Sequence, residues 1–257
     1  MSKNIVLAHG ILGFGDMPFV NYFNGVAEHL RAQGHKVLEP SVPPLGSIAE
    51  RGKLLADAIR DWQKGEPIYI IAHSMGGLDA RHAINHEPGI RERVLTLVTL
   101  GTPHKGSPVA DQFVTGAGQL LQYIPEPLAN LLRRSAPAIP DLTTAAASRF
   151  DISTPYLSGT RYIHVAGDAL QGGHTLLLFK LAQAIGRIPG NVINDGVVTQ
   201  ASALFHEQGH ENLADWPVDH AGLIGWSVKA LIPGFIRRWF NMPLPHIARY
   251  DEIVAML

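Results

Sequence analysis

The sequence predicts an α/β fold in which a mainly parallel β-sheet carries helices on both faces. Short β-rich runs alternate with longer segments of helical pattern, as expected for parallel strands joined by helical crossovers. The chain has 257 residues, which is enough for one large domain with a substantial core. With 46% apolar and 17% charged residues, its composition is that of a globular protein.

The individual elements follow from these patterns in chain order. The predicted strands are residues 5–8, 36–38, 68–72, 94–100 and 162–166. The predicted helices are residues 24–33, 48–63 and 76–86. We expect right-handed crossovers between the strands.

The alternation stops after the strand at 94–100, and residues 104–158 contain no convincing strand pattern. Apolar residues there follow helical spacing with almost no charge opposite them: Phe113, Val114, Ala117, Leu120, Leu121 and Ile124. Because this stretch interrupts the sheet at one point, we predict a single domain, 1–257, with 104–158 as a helical cap or lid. Residues 170–190 hold a second apolar segment, which is either part of the cap or an ordinary core helix.

Charge and cysteine content exclude several classes of protein. The formal net charge of -1 gives no basis for nucleic-acid binding, which usually requires a dense basic surface. The absence of cysteine excludes a disulfide, a thiolate metal site and a cysteine nucleophile.

The start of the chain does not have the pattern of a signal peptide, because its apolar run 5–8 is too short. We therefore expect a cytoplasmic protein, with secretion left open if a leader has been removed. No apolar run approaches the ~18 residues of a membrane span, so no transmembrane segment is predicted.

Ser74 is the candidate nucleophile. It lies in Ala72-His73-Ser74-Met75-Gly76, between a predicted buried strand and a predicted helix. A nucleophile elbow needs this strand, turn and helix, with small residues beside the serine. Alanine stands at position 72, where the usual pattern has glycine, and adds one methyl group. The structural alternative is a serine that only caps a buried helix.

The sequence contains three further motifs besides that of Ser74. The first two follow predicted strands, and the third lies in the C-terminal part of the chain. They are His9-Gly10-Ile11-Leu12-Gly13-Phe14, Gly101-Thr102-Pro103-His104-Lys105-Gly106-Ser107, and Asn194-Asp195-Gly196-Val197-Val198 followed by Asp219-His220. Together the motifs resemble the bacterial true lipases of the Pseudomonas and Burkholderia type, members of the α/β-hydrolase superfamily. The resemblance is close over 4–112, weak through the predicted cap, and returns over 191–226.

This resemblance implies a role for each matching residue. The backbone N–H groups of Ile11 and Met75 would form the oxyanion hole, and His9 would brace the loop. Asp195 would be the catalytic acid and His220 the base, in the chain order of α/β-hydrolases. His220 would take the proton of the nucleophile, while Asp195 would hold the imidazole tautomer.

Other residues compete for the roles of acid and base. Asp168 follows a strand-like run, and a carboxylate at the end of a strand is well placed in an open α/β sheet. His206 and His210 follow Asp195 more closely than His220 does.

A metal site and a cofactor are not expected. The family commonly binds calcium through an acidic residue two positions after the catalytic histidine, but Gly222 stands there in this chain. The resemblance therefore predicts no calcium, with Asp168 as the residue that leaves the question open. The family's common disulfide is also absent.

The expected function is the hydrolysis of acylglycerols or other lipid-like esters through an acyl-enzyme on Ser74. The apolar, charge-poor cap predicts a surface that opens at an oil–water interface. Three alternatives stay open: a carboxylesterase for small soluble esters, an acyltransferase with the same triad, and a non-catalytic binding scaffold. The sequence does not predict the oligomeric state.

Overall fold

A computed structural model describes residues 1–11, 21–124, 126, 129–130, 137–172, 175–191, 193–226 and 246–257. Among these residues, six strands form one sheet in the order β2-β1-β3-β4-β5-β6. The strands are β1 (Asn4–Ala8), β2 (Lys36–Leu38), β3 (Ile68–His73), β4 (Val94–Leu100), β5 (Arg161–Val165) and β6 (His210–Asn212). All neighbouring strands pair in parallel, which confirms the predicted α/β fold.

The helices of the described residues follow the same alternation. They are α1 (Val26–Ala32), α2 (Ile48–Asp61), α3 (Met75–His86), α4 (Pro108–Thr115), α5 (Ala138–Asp141), α6 (Thr144–Ser153), α7 (Leu176–Ile185), α8 (Gln200–Ala203) and α9 (Ile247–Met256). Two 3-10 turns, Leu121–Tyr123 and Gly222–Ile224, complete the described elements. No helix in this part of the chain is long and apolar enough to cross a membrane.

The four inner strands, β1, β3, β4 and β5, are buried on both faces, to which successive side chains point alternately. Ile5 and Leu7 face the helices α1 and α9 on one side. Val6 and Ala8 face α2 and α3 on the other. Two apolar layers therefore hold the sheet between them, as the near-continuous apolar runs of the sequence require.

The order of the strands places a crevice beside β1. The chain passes from β1 outward to β2 and then returns to the other side of β1 to form β3. Ligands of open α/β sheets bind at such a reversal, outside the carboxyl ends of the strands. The loops after β1 and β3 carry His9 to Ile11 and Ser74, so the fold brings these two motifs to one edge.

In the segment predicted as the cap, the structure differs from the sequence-based expectation in one respect. The helical spacing from Phe113 to Ile124 does not form one helix, because α4 ends at Thr115. Gly116 follows with φ 66°, a left-handed conformation that commonly ends helices. Residues 121–123 then form a separate 3-10 turn.

Helix α7 packs against this segment. Leu181 and Ile185 of α7 form an apolar cluster with Leu120 and Ile124, separate from the two layers beside the sheet. This packing favours the cap for the segment within 170–190. The extent of the cap stays a prediction, because 125, 127–128, 131–136 and 173–174 lie outside the described residues.

Strand β6 was not predicted, because its sequence, His-Glu-Asn, has no apolar pattern. It is fixed to the edge of the sheet by a chain of buried side-chain hydrogen bonds. The chain runs through Tyr156, His104, Thr99, His164 and His210, with distances of 3.2, 3.1, 2.8 and 2.9 Å.

The direction of this chain is set at its buried end. The Arg81 guanidinium lies 3.5 Å from His104 Nδ1 and can only donate, so the proton of His104 is on Nε2. Each following group then donates toward His210. Burial lowers the pKa of His104 well below its usual value and that of His164 to about 3, with neighbouring positive charge acting in the same direction. Both rings are therefore neutral in the folded protein.

Acid should therefore destabilise the fold. In the unfolded chain these histidines protonate below about pH 6.5, whereas in the folded protein they stay neutral. The free energy of unfolding therefore has its full value above about pH 6.5 and decreases as the pH is lowered further. Each such histidine contributes a slope of about 1.4 kcal/mol per pH unit. We expect His164→Gln to remove about that slope in urea unfolding between about pH 6.5 and 4. The exposed His206→Gln should leave it unchanged, and equal slopes in all three proteins would contradict the prediction.

Candidate active site

Ser74 occupies a strained turn between β3 and α3. Its backbone has φ 55° and ψ -130°, a conformation that L-residues rarely adopt and that persists only where the surroundings enforce it. The Ser74 N–H donates to Leu100 O at 2.9 Å, and the Gly77 N–H donates to Ser74 O at 3.1 Å. Its side chain makes no capping hydrogen bond to α3. The geometry is that of a nucleophile elbow and not that of an ordinary helix cap.

The backbones after β1 and β3 approach closely at this turn. A β-carbon at Gly76 would lie 2.4 Å from Ala8 O, and one at Gly10 would lie 2.7 Å from the Ser74 Cβ. Only glycine fits at either position, because these contacts involve the main chain and the elbow itself. Ala72 is buried in the core layer facing α2 and α3, where its extra methyl group is accommodated.

His9 holds the loop after β1, as predicted. The Val42 N–H donates to His9 Nε2 at 3.3 Å, so the ring proton is on Nδ1, 2.9 Å from Gly10 O. Burial lowers the pKa of His9 to about 4 and keeps the ring neutral. Since C=O and N–H point to opposite sides of a trans peptide, this contact also fixes the direction of the Ile11 N–H. Leu12, Gly13 and Phe14 of the same motif lie outside the described residues.

A buried ion pair between Arg51 and Asp79 holds the loop after β1. Arg51 of α2 donates from Nε to Asp79 Oδ2 of α3 at 2.9 Å and from Nη2 to His9 O at 2.8 Å. Its Nη1 donates to Pro43 O at 2.7 Å. Burial raises the pKa of Asp79 to about 7, and Arg51 opposes that rise. Neither residue was predicted from the sequence, because no local pattern distinguishes them from other helix residues.

His220 and Asp195 form a directly bonded pair. His220 Nδ1 lies 2.7 Å from Asp195 Oδ2, and the His220 backbone N–H donates to Asp195 O at 2.9 Å. Asp195 is almost fully buried, and its Oδ1 accepts the N–H groups of Val197 and Val198 at 2.9 and 2.7 Å. The carboxylate therefore has partners for both oxygens. Because it accepts the Nδ1–H of His220, the nitrogen of that ring with an unprotonated lone pair is Nε2.

Gly101, at the end of β4, makes room for this pair. Its φ is 55°, and a β-carbon there would lie 2.8 Å from Asp195 Oδ2 and 3.2 Å from His220 Nδ1. Gly101 begins the motif that follows the strand at 94–100, for which the sequence alone predicted no role.

Asp219, the residue before His220, anchors the same loop to α7. Its carboxylate accepts the N–H groups of Thr175, the residue that caps α7, and Gly222, at 2.5 and 2.8 Å. Burial raises the pKa of Asp219, and these two N–H groups oppose the rise.

The rival residues occupy other places. Asp168 is buried, and its two oxygens accept the Leu170 N–H at 3.0 Å and the Gln171 side-chain amide at 2.7 Å. His210 belongs to the buried hydrogen-bond chain of β6, and His206 is exposed. None of the three lines the cavity at Ser74.

Ser74 and His220 line one apolar cavity of about 230 Å³. Ile11 and Tyr22 lie on the side of β1, and the rest of the lining comes largely from the predicted cap. Those cap residues are Ser107, Val109, Ala110, Phe113, Ile124, Ile139, Leu142, Leu177, Leu178 and Leu181. No Asp, Glu, Lys or Arg of the described residues lines it. Within the same part of the chain, no cluster of three or more His, Asp or Glu side chains is arranged to hold a metal ion.

These features define an α/β-hydrolase fold with a serine, a histidine and an aspartate at the carboxyl edge of its sheet. The chain is 31% identical over 221 residues to triacylglycerol lipase 2 of Saccharomyces cerevisiae, an alignment that covers 82% of this chain and 64% of the yeast enzyme. It is also 31% identical over 110 residues to a triacylglycerol lipase of Vibrio cholerae, covering 42% of this chain and 34% of that enzyme. The chain thus spans less than two thirds of these relatives. Residues 46–134 match the family model of the PGAP1-like alpha/beta domain.

Solved structures give the same fold over nearly the whole chain. A mature Bacillus licheniformis lipase superposes with a TM-score of 0.70 at 24% identity, covering 93% of this chain and 91% of that one. Staphylococcus hyicus lipase superposes with a TM-score of 0.69 at 17% identity, covering 98% and 94%. The predicted α/β-hydrolase fold is therefore confirmed.

The close approach at Gly76 gives a direct test of the elbow. We expect Gly76→Ala to lower the free energy of unfolding by about 1–3 kcal/mol, because its methyl group would overlap rigid backbone oxygens. Urea unfolding measures this change. The matched control is Gly172→Ala, whose methyl group would lie 3.4 Å from Pro217 O, an ordinary contact. Equal stability of the two variants would contradict the described packing.

Proposed function

We propose that this protein is a serine ester hydrolase of the lipase type that cleaves acylglycerols or other lipid-like esters. Ser74 is the nucleophile, His220 the general base and Asp195 the acid, while the N–H groups of Ile11 and Met75 stabilise the oxyanion. The sequence similarity to triacylglycerol lipases supports this activity. The closer resemblance to the Pseudomonas and Burkholderia type is part of the same proposal.

The observation that carries the proposal is the apolar cavity shared by Ser74 and His220. A long acyl chain leaves water on entering such a cavity, and each buried methylene contributes about 0.8 kcal/mol. A charged acyl group would lose its hydration there without gaining a partner, because no charged side chain of the described residues lines the cavity. The site therefore fits a neutral, apolar acyl group beside a hydroxyl nucleophile.

In the proposed reaction, the hydrogen-bonded pair of His220 and Asp195 acts as the base. His220 Nε2 takes the Ser74 proton as Oγ attacks the ester carbonyl, and the imidazolium is stabilised by Asp195. The same proton passes to the leaving alcohol as the ester C–O bond breaks and the acyl-enzyme forms. Water then attacks the acyl-enzyme, giving one proton to His220, which returns it to Ser74 as the carboxylic acid leaves.

Hydrolysis of p-nitrophenyl esters of increasing acyl length tests the proposal. We expect kcat/KM to rise from acetate to medium chains, because the cavity is apolar, and emulsified triglyceride to be cleaved. Ser74→Ala should lower kcat by a factor of about 10³ or more. Ser47→Ala, which removes the side-chain cap of α2 and does not change the lining of the cavity, should keep full activity. Full activity of Ser74→Ala would contradict the assignment of Ser74 as the nucleophile. Failure of a phosphonate to label the folded wild-type protein would contradict the proposed function and favour a binding scaffold.

The acid is tested by a matched pair of variants. Asp195→Asn should lower kcat by about 10²- to 10⁴-fold, because an amide cannot stabilise the imidazolium or keep its tautomer. Asp168→Asn should leave kcat within about twofold, since Asp168 does not line the cavity and its carboxylate accepts hydrogen bonds from Leu170 and Gln171. The reverse result in steady-state kinetics would assign the acid to Asp168.

A further inference from the structure

Tyr22 and His73 connect the two halves of the candidate site through partly buried hydrogen bonds. The Gly10 N–H donates to the Tyr22 hydroxyl at 3.0 Å, and this hydroxyl lies 2.8 Å from His73 Nδ1. His73 Nε2 lies 3.0 Å from the backbone oxygen of His220. Neither Tyr22 nor His73 has a role in the mechanism proposed above.

The chemistry of the partners gives this chain a single direction. A backbone carbonyl can only accept, so His73 must carry its proton on Nε2 and donate it to His220 O. His73 Nδ1 is then an acceptor, and the Tyr22 O–H donates to it. The Tyr22 oxygen in turn accepts the Gly10 N–H. Every group in the chain uses the one role available to it.

Burial keeps the chain in this state. It lowers the pKa of His73 well below its usual value, with His220 acting in the same direction, and it raises the pKa of the Tyr22 hydroxyl. Neither group therefore changes its charge near neutral pH. The chain is a fixed structural connection and not a path that gains or loses protons.

Three members of this hydrogen-bonded chain are adjacent to, or part of, the three parts of the candidate site. Gly10 precedes Ile11 in the oxyanion loop, His73 precedes Ser74 at the end of β3, and His220 carries the candidate base. The His220 main chain is held on both sides, because its N–H donates to Asp195 O while its C=O accepts from His73.

We propose that Tyr22 and His73 are positioning residues whose hydrogen-bonded chain fixes the oxyanion loop and the His220 main chain relative to Ser74. The proposal rests on the function proposed above, since it concerns the same site. A small misplacement of catalytic groups lowers the rate of the chemical step strongly while leaving substrate binding nearly unchanged. The chain therefore acts on kcat through Ile11 and His220, although neither Tyr22 nor His73 exchanges a proton with the substrate.

The test is a double-mutant cycle in steady-state kinetics with p-nitrophenyl butanoate. Tyr22→Phe removes the hydroxyl and keeps the ring, and His73→Gln keeps an amide donor toward His220 O but loses the acceptor for Tyr22. We expect each variant to lower kcat on the order of 10-fold with KM within about twofold, less than the loss of an oxyanion donor causes. The double variant should be no slower than the slower single one, because both changes break the same hydrogen bond.

The matched control is Tyr162→Phe. Tyr162 is buried, and its hydroxyl, like that of Tyr22, accepts a backbone N–H, that of Leu157 at 3.2 Å, but it lies outside the cavity. It should lower the Tm by a similar amount and leave kcat unchanged. Should Tyr22→Phe fail to fold, His73→Asn, which keeps the acceptor and loses the donor to His220 O, tests the same chain by the same loss of kcat.

Wild-type activity and phosphonate labelling separate this inference from the proposed function. If the folded wild type neither hydrolyses the ester nor reacts with the phosphonate, the proposed function is wrong. If the wild type is active and the folded Tyr22 and His73 variants keep its kcat, the positioning role alone is overturned. Losses of kcat that multiply in the double variant would likewise overturn the connected chain.

Discussion

The close parallel approach of β1 and β3 is the constraint on which the rest of the site depends. Ala8 pairs with Ala72 in the sheet, and the two strands end within a few residues of one another. The following turns therefore share the same small volume, which explains the glycines at positions 10 and 76 and the strained backbone of Ser74. A strained turn of this kind costs about 1–3 kcal/mol and persists because the surrounding packing determines it.

The side chains that hold the loops at the carboxyl ends of β1 and β3 are polar, although they lie in the interior of the protein. Arg51 and Asp79 join α2, α3 and the end of β1, while the Tyr22–His73 chain joins the loop after β1 to the loop of His220. Apolar contacts are non-directional and would hold these loops together without fixing where their N–H groups point. Hydrogen bonds have direction, and removing one partner of a buried ion pair is strongly destabilising, by about 3–5 kcal/mol. Such groups therefore fix the orientation that an oxyanion site requires.

The sequence predicted those parts of the molecule that local patterns encode. Apolar runs identified β1, β3 and β4 to within a residue or two. The motifs and the resemblance they carry selected Ser74, Asp195 and His220 as candidates. Strand β6 was missed because hydrogen bonds to His164, and not apolar side chains, hold it. The supporting residues were missed because Arg51 and Asp79 are 28 positions apart and Tyr22 and His73 are 51 apart, so only the tertiary fold makes them neighbours.

The hydrogen bond between Asp219 and the N-terminus of α7 links one wall of the cavity to the candidate base, His220. Helix α7 supplies Leu177, Leu178 and Leu181 to the wall of the cavity, and Asp219 is the residue before His220. If the first turn of α7 moves away from the sheet, either the hydrogen bond to the Asp219 carboxylate breaks or the loop that carries His220 moves with the helix. An opening that pivots about Thr175 and displaces the far end of α7 avoids both. For the proposed lipase, the hydrogen bond therefore favours an opening in which the end of α7 beside His220 stays in place and the other end moves.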